Sequence, residues 1–419
     1  MNSGIMNQKI GGMNIVAICL LLAVITIPLD YLWNSYFIAL FSIVALLSNN
    51  FFKKIEYLKA NKFFWIVPAA YFFWSAITLL WDKQARHSEY IIKGLESKVS
   101  WVAFPIIFAS IERIDPKSIK KILFAFIATN IAGSLYCLWK AYLEYKATNY
   151  INILFYHHLS RHINISAIYF SMYCVFSIYI LFFYFFFKKQ SGWIRLLSLL
   201  CVGYLAVFIM LLSSKIFIFL LYLSALIFIV YSFYYFKSKL GTLIMLVLLI
   251  AIPVLLIKFP YVQSRVLDTH IKEYSGPEDD QNGLAVRGVL WESSWKLIRS
   301  KPILGWGRYS AQDALEKQYM RMGFLEGVKE NYNSHNQYLY TWLCYGLTGL
   351  LLIAIYFSKL LQTFIRKKQL LGIGLLFLFI FANITECMLE VQKGLVFFLL
   401  FVNLFLFHPL RQQLGKVTA

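Results

Sequence analysis

Twelve stretches of this chain come close to the length of about 20 apolar residues that a helix needs to cross a lipid bilayer. Their approximate bounds are 13–29, 33–48, 63–81, 99–112, 122–143, 164–187, 193–212, 216–236, 240–258, 337–357, 371–388 and 393–408. Charged residues make up only 14% of the chain, whereas a typical soluble domain has about 25%. The sequence therefore predicts an all-α polytopic membrane protein with about 12 transmembrane helices. It excludes a cytosolic enzyme, a disordered chain and a secreted disulfide scaffold.

The basic residues indicate which ends of these stretches face the cytoplasm. With the N-terminus inside, the cytoplasmic segments carry 20 Lys and Arg against three acids. The outer segments, apart from one long loop, carry 10 basic residues against seven acids. By the positive-inside rule, both termini are expected in the cytoplasm. The net charge of +20 is then mainly a signal of topology, so we expect contact with membrane lipids and no binding of nucleic acid.

One connection, residues 259–336, is much longer than the others and lies on the predicted outer face. It contains ten basic and ten acidic residues and is expected to fold as a separate subdomain. The chain is therefore divided into 1–258 with spans one to nine, the loop 259–336, and 337–419 with spans ten to twelve and a cytoplasmic C-terminus. Within the loop the pattern predicts, in order, a mobile segment at 265–283, a helix at Val286–Ile298, a turn at Pro302–Gly307 and a helix near 309–322.

His335 lies where this loop meets the tenth stretch, among Asn333, Ser334, Asn336 and Gln337. The unperturbed pKa of histidine is about 6.5, so its ring can accept a proton at neutral pH. The neighbouring amides and hydroxyl would hold one tautomer of the ring. The alternative interpretation is a structural cap or an interfacial residue.

Lys215 and Arg287 add positive charge on the same predicted face. Lys215 ends the tight connection between spans seven and eight, and Arg287 begins the loop helix with Trp291 four residues later. An ammonium acts as a point charge and a guanidinium contacts two phosphate oxygens at once, so together they would suit a pyrophosphate. The alternatives are a snorkelling lysine and a surface ion pair for Arg287. For Trp291, an interfacial anchor is favoured over a platform for sugar stacking.

Arg161 and His162 lie with His157 and His158 in the outer loop before the sixth span. They are candidates for contact with a substrate headgroup, and the alternative is an ordinary interfacial loop. No further ligand lies near these histidines, and the six cysteines fall in apolar stretches, so neither a metal nor a cofactor is predicted. Glu386, near the outer end of span eleven, is interpreted as a hydrated boundary residue.

Four elements of the sequence together resemble the superfamily of O-antigen ligases and polymerases. They are Ser213-Ser214-Lys215, Arg287-x-x-x-Trp291, the segment Lys301–Gly307, and His335-Asn336 followed by nine residues and Gly346-x-x-Gly349. The chain has Lys215 where this family usually shows an arginine. The resemblance implies a fold related to the GT-C-like glycosyltransferases, in a bacterial inner (plasma) membrane, with a large helical periplasmic loop and the active site facing the periplasm.

The resemblance also implies a metal-independent, inverting transfer from an undecaprenyl-diphosphate-linked glycan to a lipid A-core acceptor. Arg287 and Lys215 would bind the leaving diphosphate, and His335 would act as the general base. Substrate contacts are expected from Arg161, His162, Trp291 and Asn336. A ligase is favoured, with a polymerase that uses a lipid-linked glycan acceptor as the alternative. A ligase that glycosylates protein hydroxyls is less favoured, as is a transporter or flippase, whose charged sites would lie near the midplane.

Overall fold

The computed structural model of the chain describes residues 12–29, 31–48, 51–86, 88–111, 114–187, 191–231, 247 and 283–410. The regular secondary structure of these residues is helical, as the sequence predicts. The α-helices are α1 (Ile15–Thr26), α2 (Tyr31–Leu47), α3 (Phe51–Ala60), α4 (Phe63–Ile77), α5 (Ser88–Ser110), α6 (Pro116–Thr148), α7 (Tyr156–Ser160), α8 (Ala167–Phe187), α9 (Gly192–Leu211), α10 (Lys215–Tyr231), α11 (Gly283–Ser300), α12 (Arg308–Arg321), α13 (Leu325–Lys329), α14 (Gln337–Arg366), α15 (Leu370–Thr385) and α16 (Gln392–Phe407). Short 3-10 turns lie at Thr78–Leu80, Lys83–Arg86, Ile151–Leu154 and Arg161–Ile163.

Five described helical stretches are long and apolar enough to cross a membrane: Phe63–Leu80, Pro116–Thr148, Ala167–Phe185, Gly192–Leu211 and Gln337–Arg366. Six further apolar helices are shorter, namely Ile15–Thr26, Tyr31–Leu47, Lys98–Ser110, Lys215–Val230, Leu370–Thr385 and Gln392–Phe407. Together they lie at eleven of the twelve predicted positions, and the ninth, 240–258, is outside the described residues. A helix of 16 residues is about 24 Å long, less than the hydrocarbon thickness of about 30 Å. The count of twelve spans and the side on which the loop lies therefore stay predictions.

The long loop is helical where it is described. The helix predicted at Val286–Ile298 is confirmed as α11, and the second helix is confirmed as α12. The predicted mobile segment at 265–283 lies outside the described residues apart from its last position. On α11, Leu290 and Ser294 are fully buried.

The chain divides into two compact units. The first comprises Met1–Val44, Ile114–Asp268 and Leu410–Ala419, and the second comprises Ala45–Arg113 and Thr269–Pro409. In the first unit α8 packs against α6, α9 and α10, and α1 packs against α6. Polar side chains link these apolar helices: Asn130 of α6 donates to Ser177 Oγ of α8 at 3.1 Å. Such hydrogen bonds between helices are a usual source of packing specificity in membranes.

The second unit is built around α14, which packs against α4, α11 and α15, while α5 packs against α4 and α16. Its most informative feature is a break inside α14 at Gly346, where φ is 65° and ψ is −171°. The turn Pro302–Gly307 binds to this break through three backbone hydrogen bonds, each 2.9 Å long. They are Trp306 N to Leu343 O, Gly307 N to Cys344 O, and Leu347 N to Pro302 O.

Glycine is required on both sides of this contact. A Cβ placed on Gly346 would lie 1.9 Å from the carbonyl oxygen of Ile303, and one on Gly305 would lie 2.5 Å from the Gly346 nitrogen. A Cβ on Gly307 would lie 2.5 Å from the Cβ of Asp82. Gly305 and Gly346 are thus explained by one close backbone approach, and Gly307 is explained by the approach of the Asp82 side chain.

Asp82 then fixes the start of α12. Its carboxylate accepts hydrogen bonds from Tyr309 N at 2.8 Å, from Ser310 N at 2.9 Å and from Ser310 Oγ at 2.6 Å. These backbone N–H groups belong to the first turn of α12 and have no partner within the helix. A side chain remote in sequence thereby caps α12 and ties the long loop to the end of α4.

Candidate active site

The backbone around His335 is shaped by the asparagines on either side of it. Asn336 caps α14, with its Oδ1 accepting from Tyr338 N at 3.0 Å and Leu339 N at 3.1 Å. His335 has a φ of 41°, and its own N–H donates to Asn333 Oδ1 at 2.9 Å. These contacts hold the residue before the cap in a left-handed conformation. They leave the imidazole partly exposed at the junction of the loop and α14.

The imidazole meets two charged side chains. His335 Nδ1 lies 3.1 Å from Glu386 Oε2, and Arg287 Nη2 lies 2.9 Å from Glu386 Oε1. One carboxylate therefore bridges the histidine and the arginine. The structure brings together the two residues that the sequence assigned to catalysis, through a third residue that it did not assign.

Glu386 is buried, with a relative exposure of only 8%, so its interpretation as a hydrated boundary residue is wrong. It follows the end of α15, where the chain leaves the helix, and the structure turns it toward the loop rather than toward solvent. A lone acid at the end of an apolar stretch was the available signal. That signal did not show that Glu386 contacts His335 and Arg287, which are remote from it in the sequence.

Arg287 uses much of its guanidinium inside the protein. Besides the contact with Glu386, its Nε donates to Thr385 O at 3.3 Å and its Nη1 donates to Gly283 O at 3.0 Å. A guanidinium has five N–H donors, so two of them lie outside these contacts. Arg287 therefore holds Glu386 in place and retains two donors for a further anion.

The contact with Glu386 has a chemical consequence for His335. A carboxylate next to Nδ1 favours the tautomer in which Nδ1 carries the proton, and Nε2 is then the basic nitrogen. The same carboxylate stabilises the imidazolium that forms when Nε2 takes up a proton. The cluster of His335, Glu386 and Arg287 is thus suited to general base catalysis.

A second charged cluster lies around Glu390, four residues beyond Glu386. Lys98 Nζ is 2.6 Å from Glu390 Oε1, and Arg308 Nη1 is 3.7 Å from Oε2. Burial alone would raise the pKa of Glu390, but Lys98, Arg308 and the hydrogen bond from Gln337 outweigh it and hold that pKa below its ordinary value. Sequence analysis did not identify Lys98, Arg308 or Glu390 as site residues. No motif or spacing in the sequence shows that Lys98 and Arg308 contact Glu390.

Gln337 connects the two clusters. Its Nε2 donates to Glu390 Oε1 at 3.1 Å, and its Oε1 accepts from Leu389 N at 2.9 Å. Gln337 is two residues beyond His335, and Leu389 is three beyond Glu386. These hydrogen bonds join the turn between α15 and α16 to the first turn of α14. They therefore fix the position of Glu386 relative to His335.

The remaining predicted site residues are not part of the cluster of His335, Glu386 and Arg287. In the second unit, Asn336 is the helix cap described above, and Trp291 is half-buried on α11. In the first unit, Arg161 and His162 both lie against Glu144 of α6, with His162 Nε2 at 3.7 Å from its Oε2. Burial lowers the pKa of His162 despite the nearby carboxylate.

Lys215, also in the first unit, is the first residue of α10. It follows a tight turn in which Ser213 has a φ of 49°. A helix N-terminus presents unpaired backbone N–H groups and the positive end of the helix dipole. Lys215 adds its charge to that end, which is the arrangement that attracts an anion.

The described residues include no group of three or more His, Cys, Asp and Glu side chains placed to hold a metal ion. The cluster at this site offers a histidine with an oriented ring, a bridging carboxylate and a guanidinium.

Taken together, the apolar helices and this cluster define a helical membrane protein with a polar site at the junction between its loop and α14. Residues 199–354, somewhat more than a third of the chain, match the family model Wzy_C, described as O-antigen ligase. This match supports the resemblance to the O-antigen ligase superfamily that the motifs indicate. No curated protein matches the chain.

The family is glycosyltransferase-like, and it implies a lipid-linked glycan and a lipid acceptor. The matched segment contains Lys215, Arg287 and His335, whereas Glu386, Glu390 and Lys98 lie outside it. The three-dimensional cluster thus extends the site beyond the residues that the match covers.

Proposed function

We propose that this protein is an O-antigen ligase of the bacterial inner membrane, with both termini in the cytoplasm. It transfers a glycan from undecaprenyl diphosphate to a hydroxyl of lipid A-core at the periplasmic face. The observation that carries the proposal is the contact of His335 with Glu386, in a chain whose residues 199–354 match the O-antigen ligase family model. A ring held on one side by a buried carboxylate is what a general base for an acceptor hydroxyl requires.

In the proposed reaction the acceptor oxygen attacks the anomeric carbon of the donor sugar. As this bond forms, the bond from that carbon to the diphosphate oxygen breaks, and its electron pair leaves with undecaprenyl diphosphate. His335 Nε2 takes the hydroxyl proton, and Glu386 stabilises the resulting imidazolium. A single displacement on one face of the sugar inverts the anomeric centre.

Negative charge grows on the diphosphate as it leaves, and the proposal assigns two cations to it. Arg287 contributes the donors that Glu386, Thr385 and Gly283 do not use. Lys215 contributes its ammonium together with the N-terminus of α10. Positioned positive groups of this kind stabilise a developing anion without reorganisation during the reaction.

The remaining assignments concern the two substrates. Arg161 and His162 are proposed to contact a polar headgroup, exchanging some of their interaction with Glu144 for the ligand. Trp291 is proposed to contact the glycan from its half-buried position on α11. Asn336 is proposed to act through its amide nitrogen, because its oxygen caps α14.

The test is transfer by the purified full chain in nanodiscs, with an undecaprenyl-diphosphate glycan as donor and lipid A-core as acceptor. His335→Ala is expected to lower the rate by about 10²–10⁴-fold, with an unchanged melting temperature. Lys329→Ala is the matched control, because Lys329 lies in the same loop with its side chain 75% exposed. A His335→Ala protein with the parent's rate would refute the general base.

The same assay separates the alternatives. A ligase yields lipid A-core that carries the glycan, and the new linkage has the opposite anomeric configuration to the donor. A polymerase instead extends the lipid-linked glycan in the absence of lipid A-core. Labelled protein would indicate a ligase that glycosylates protein hydroxyls. In sealed vesicles that contain the same protein, donor that crosses the bilayer unchanged would indicate a flippase. Each of these three results would overturn the ligase assignment.

A further inference from the structure

The turn that binds the break in α14 carries two exposed aliphatic side chains. Ile303 is 65% exposed and Leu304 is 50% exposed. The cations Arg299 and Lys301 lie four and two residues before Ile303, and both are exposed as well. An aliphatic pair at the tip of a turn, next to basic residues, is a pattern found where a protein meets a lipid surface.

The position of this turn along α14 gives its depth. Beyond the break at Gly346, residues 347–366 of α14 form an uninterrupted helix about 30 Å long, which equals the hydrocarbon thickness of about 30 Å. Counting about 20 residues back from Arg366, the basic end of the helix, reaches Leu347. Leu347 donates its N–H to Pro302 O. The turn is therefore attached to α14 at the point where this uninterrupted part of the helix begins.

A second helix gives the same depth independently. The candidate span Phe63–Leu80 ends two residues before Asp82, whose carboxylate caps α12 at Tyr309 and Ser310. Leu80, at the end of that span, is 85% exposed. The beginning of α12, and with it the turn that precedes α12, therefore lies at the outer end of this span too.

Tryptophans surround the turn at this level. Trp342 Nε1 donates to Pro302 O at 2.9 Å, and the ring of Trp295 lies 5.5 Å from that of Trp342 in an edge-to-face arrangement. Lys301 Nζ lies 4.1 Å from the ring centre of Trp306. Tryptophan concentrates at the headgroup level of membranes, so the aromatic residues support the depth obtained from the two helices.

We propose that Ile303 and Leu304 insert into the lipid leaflet at the face of the membrane that carries the loop, with Arg299 and Lys301 contacting anionic phospholipid headgroups. The partner is an anionic phospholipid surface. The inserted turn sets the height of α11 and α12 above the bilayer, because both helices are joined directly to it. This inference rests on the membrane helices and does not depend on the proposed glycan transfer.

The experiment measures lipid contact of a fluorophore. Leu304→Cys is labelled with an NBD reagent in a Cys201→Ser background, since the other five cysteines are buried. The full chain is placed in vesicles of phosphatidylethanolamine and phosphatidylglycerol, with or without lipids that carry a nitroxide near the headgroup. Leu325→Cys is the matched control, because Leu325 is 66% exposed on α13 of the same loop.

We expect the nitroxide lipids to quench the fluorophore at position 304 at least threefold more strongly than the fluorophore at 325, with a blue-shifted emission at 304. Equal quenching at the two positions would overturn insertion. Lys301→Gln, and vesicles of phosphatidylcholine alone, should each reduce the quenching at 304. Quenching that is unchanged under both conditions would overturn the contact with anionic headgroups. Because the readout is lipid contact, its result is independent of whether the protein transfers glycan.

Discussion

Replacing Gly346 by alanine tests the contact between the Pro302–Gly307 turn and α14. The added Cβ would lie 1.9 Å from the carbonyl oxygen of Ile303, a distance that forces the turn away from the helix. The backbone at Gly346, with φ 65° and ψ −171°, is also in a region essentially restricted to glycine. The substitution therefore combines backbone strain with the loss of the contact.

The structure gives the size of the effect. The strained backbone costs about 1–3 kcal/mol. Displacing the turn breaks the three hydrogen bonds between it and α14, each worth about 0.5–1.5 kcal/mol net. We expect Gly346→Ala to lower the free energy of unfolding by about 3–7 kcal/mol. At about 2–4 °C per kcal/mol for a unit of this size, this corresponds to a fall in melting temperature of roughly 6–28 °C.

The assay is thermal unfolding of the purified protein in detergent, followed by tryptophan fluorescence, with folded yield measured in parallel. Gly288→Ala is the matched control, because Gly288 lies within α11 and no atom lies within 4 Å of its added Cβ. That variant is expected to be neutral or more stable by up to about 1 kcal/mol. A Gly346→Ala protein that melts within about 2 °C of the parent would refute the interlocked turn.

Three further outcomes are expected. Glu386→Gln should lower kcat by about 10²-fold or more, because its amide can donate to His335 Nδ1 and favour the tautomer with a protonated Nε2; an unchanged kcat would rule out the orienting role. Lys215→Arg should keep donor use, whereas Lys215→Gln should raise the donor KM; a parental KM for Lys215→Gln would exclude a phosphate contact. The pKa of Glu390 in the folded protein lies below its ordinary value of 4.5, so its stabilising contribution is present above that pH and is lost as the pH falls through the lowered pKa. Melting curves across this range should therefore show a smaller acid-induced loss of stability for Glu390→Gln than for the parent, and equal losses would contradict the pairing.

Much of the helical framework is predictable from local pattern. Runs of apolar residues locate eleven described apolar helices, and the spacing of side chains along α11 predicts the loop helix. Each of these signals lies within the helix that it predicts. The turn at Pro302–Gly307 also follows from its glycines and proline. The break inside α14 does not, since Gly346 in an apolar stretch is compatible with a continuous helix, and only the approach of the turn shows why the helix is interrupted there.

The sequence by itself determined the helical class, the positions of most apolar helices, the family resemblance and the choice of His335 and Arg287 as candidates. Tertiary structure alone decided which partners they have: Glu386 lies 51 residues from His335 and 99 from Arg287, and Lys98 lies 292 residues from Glu390. Hydropathy places a side chain at the end of a helix but carries no information about which helix ends meet. A buried charge is stable only with its partner beside it, so the role of Glu386 and Glu390 is set by packing between helices that are remote in sequence.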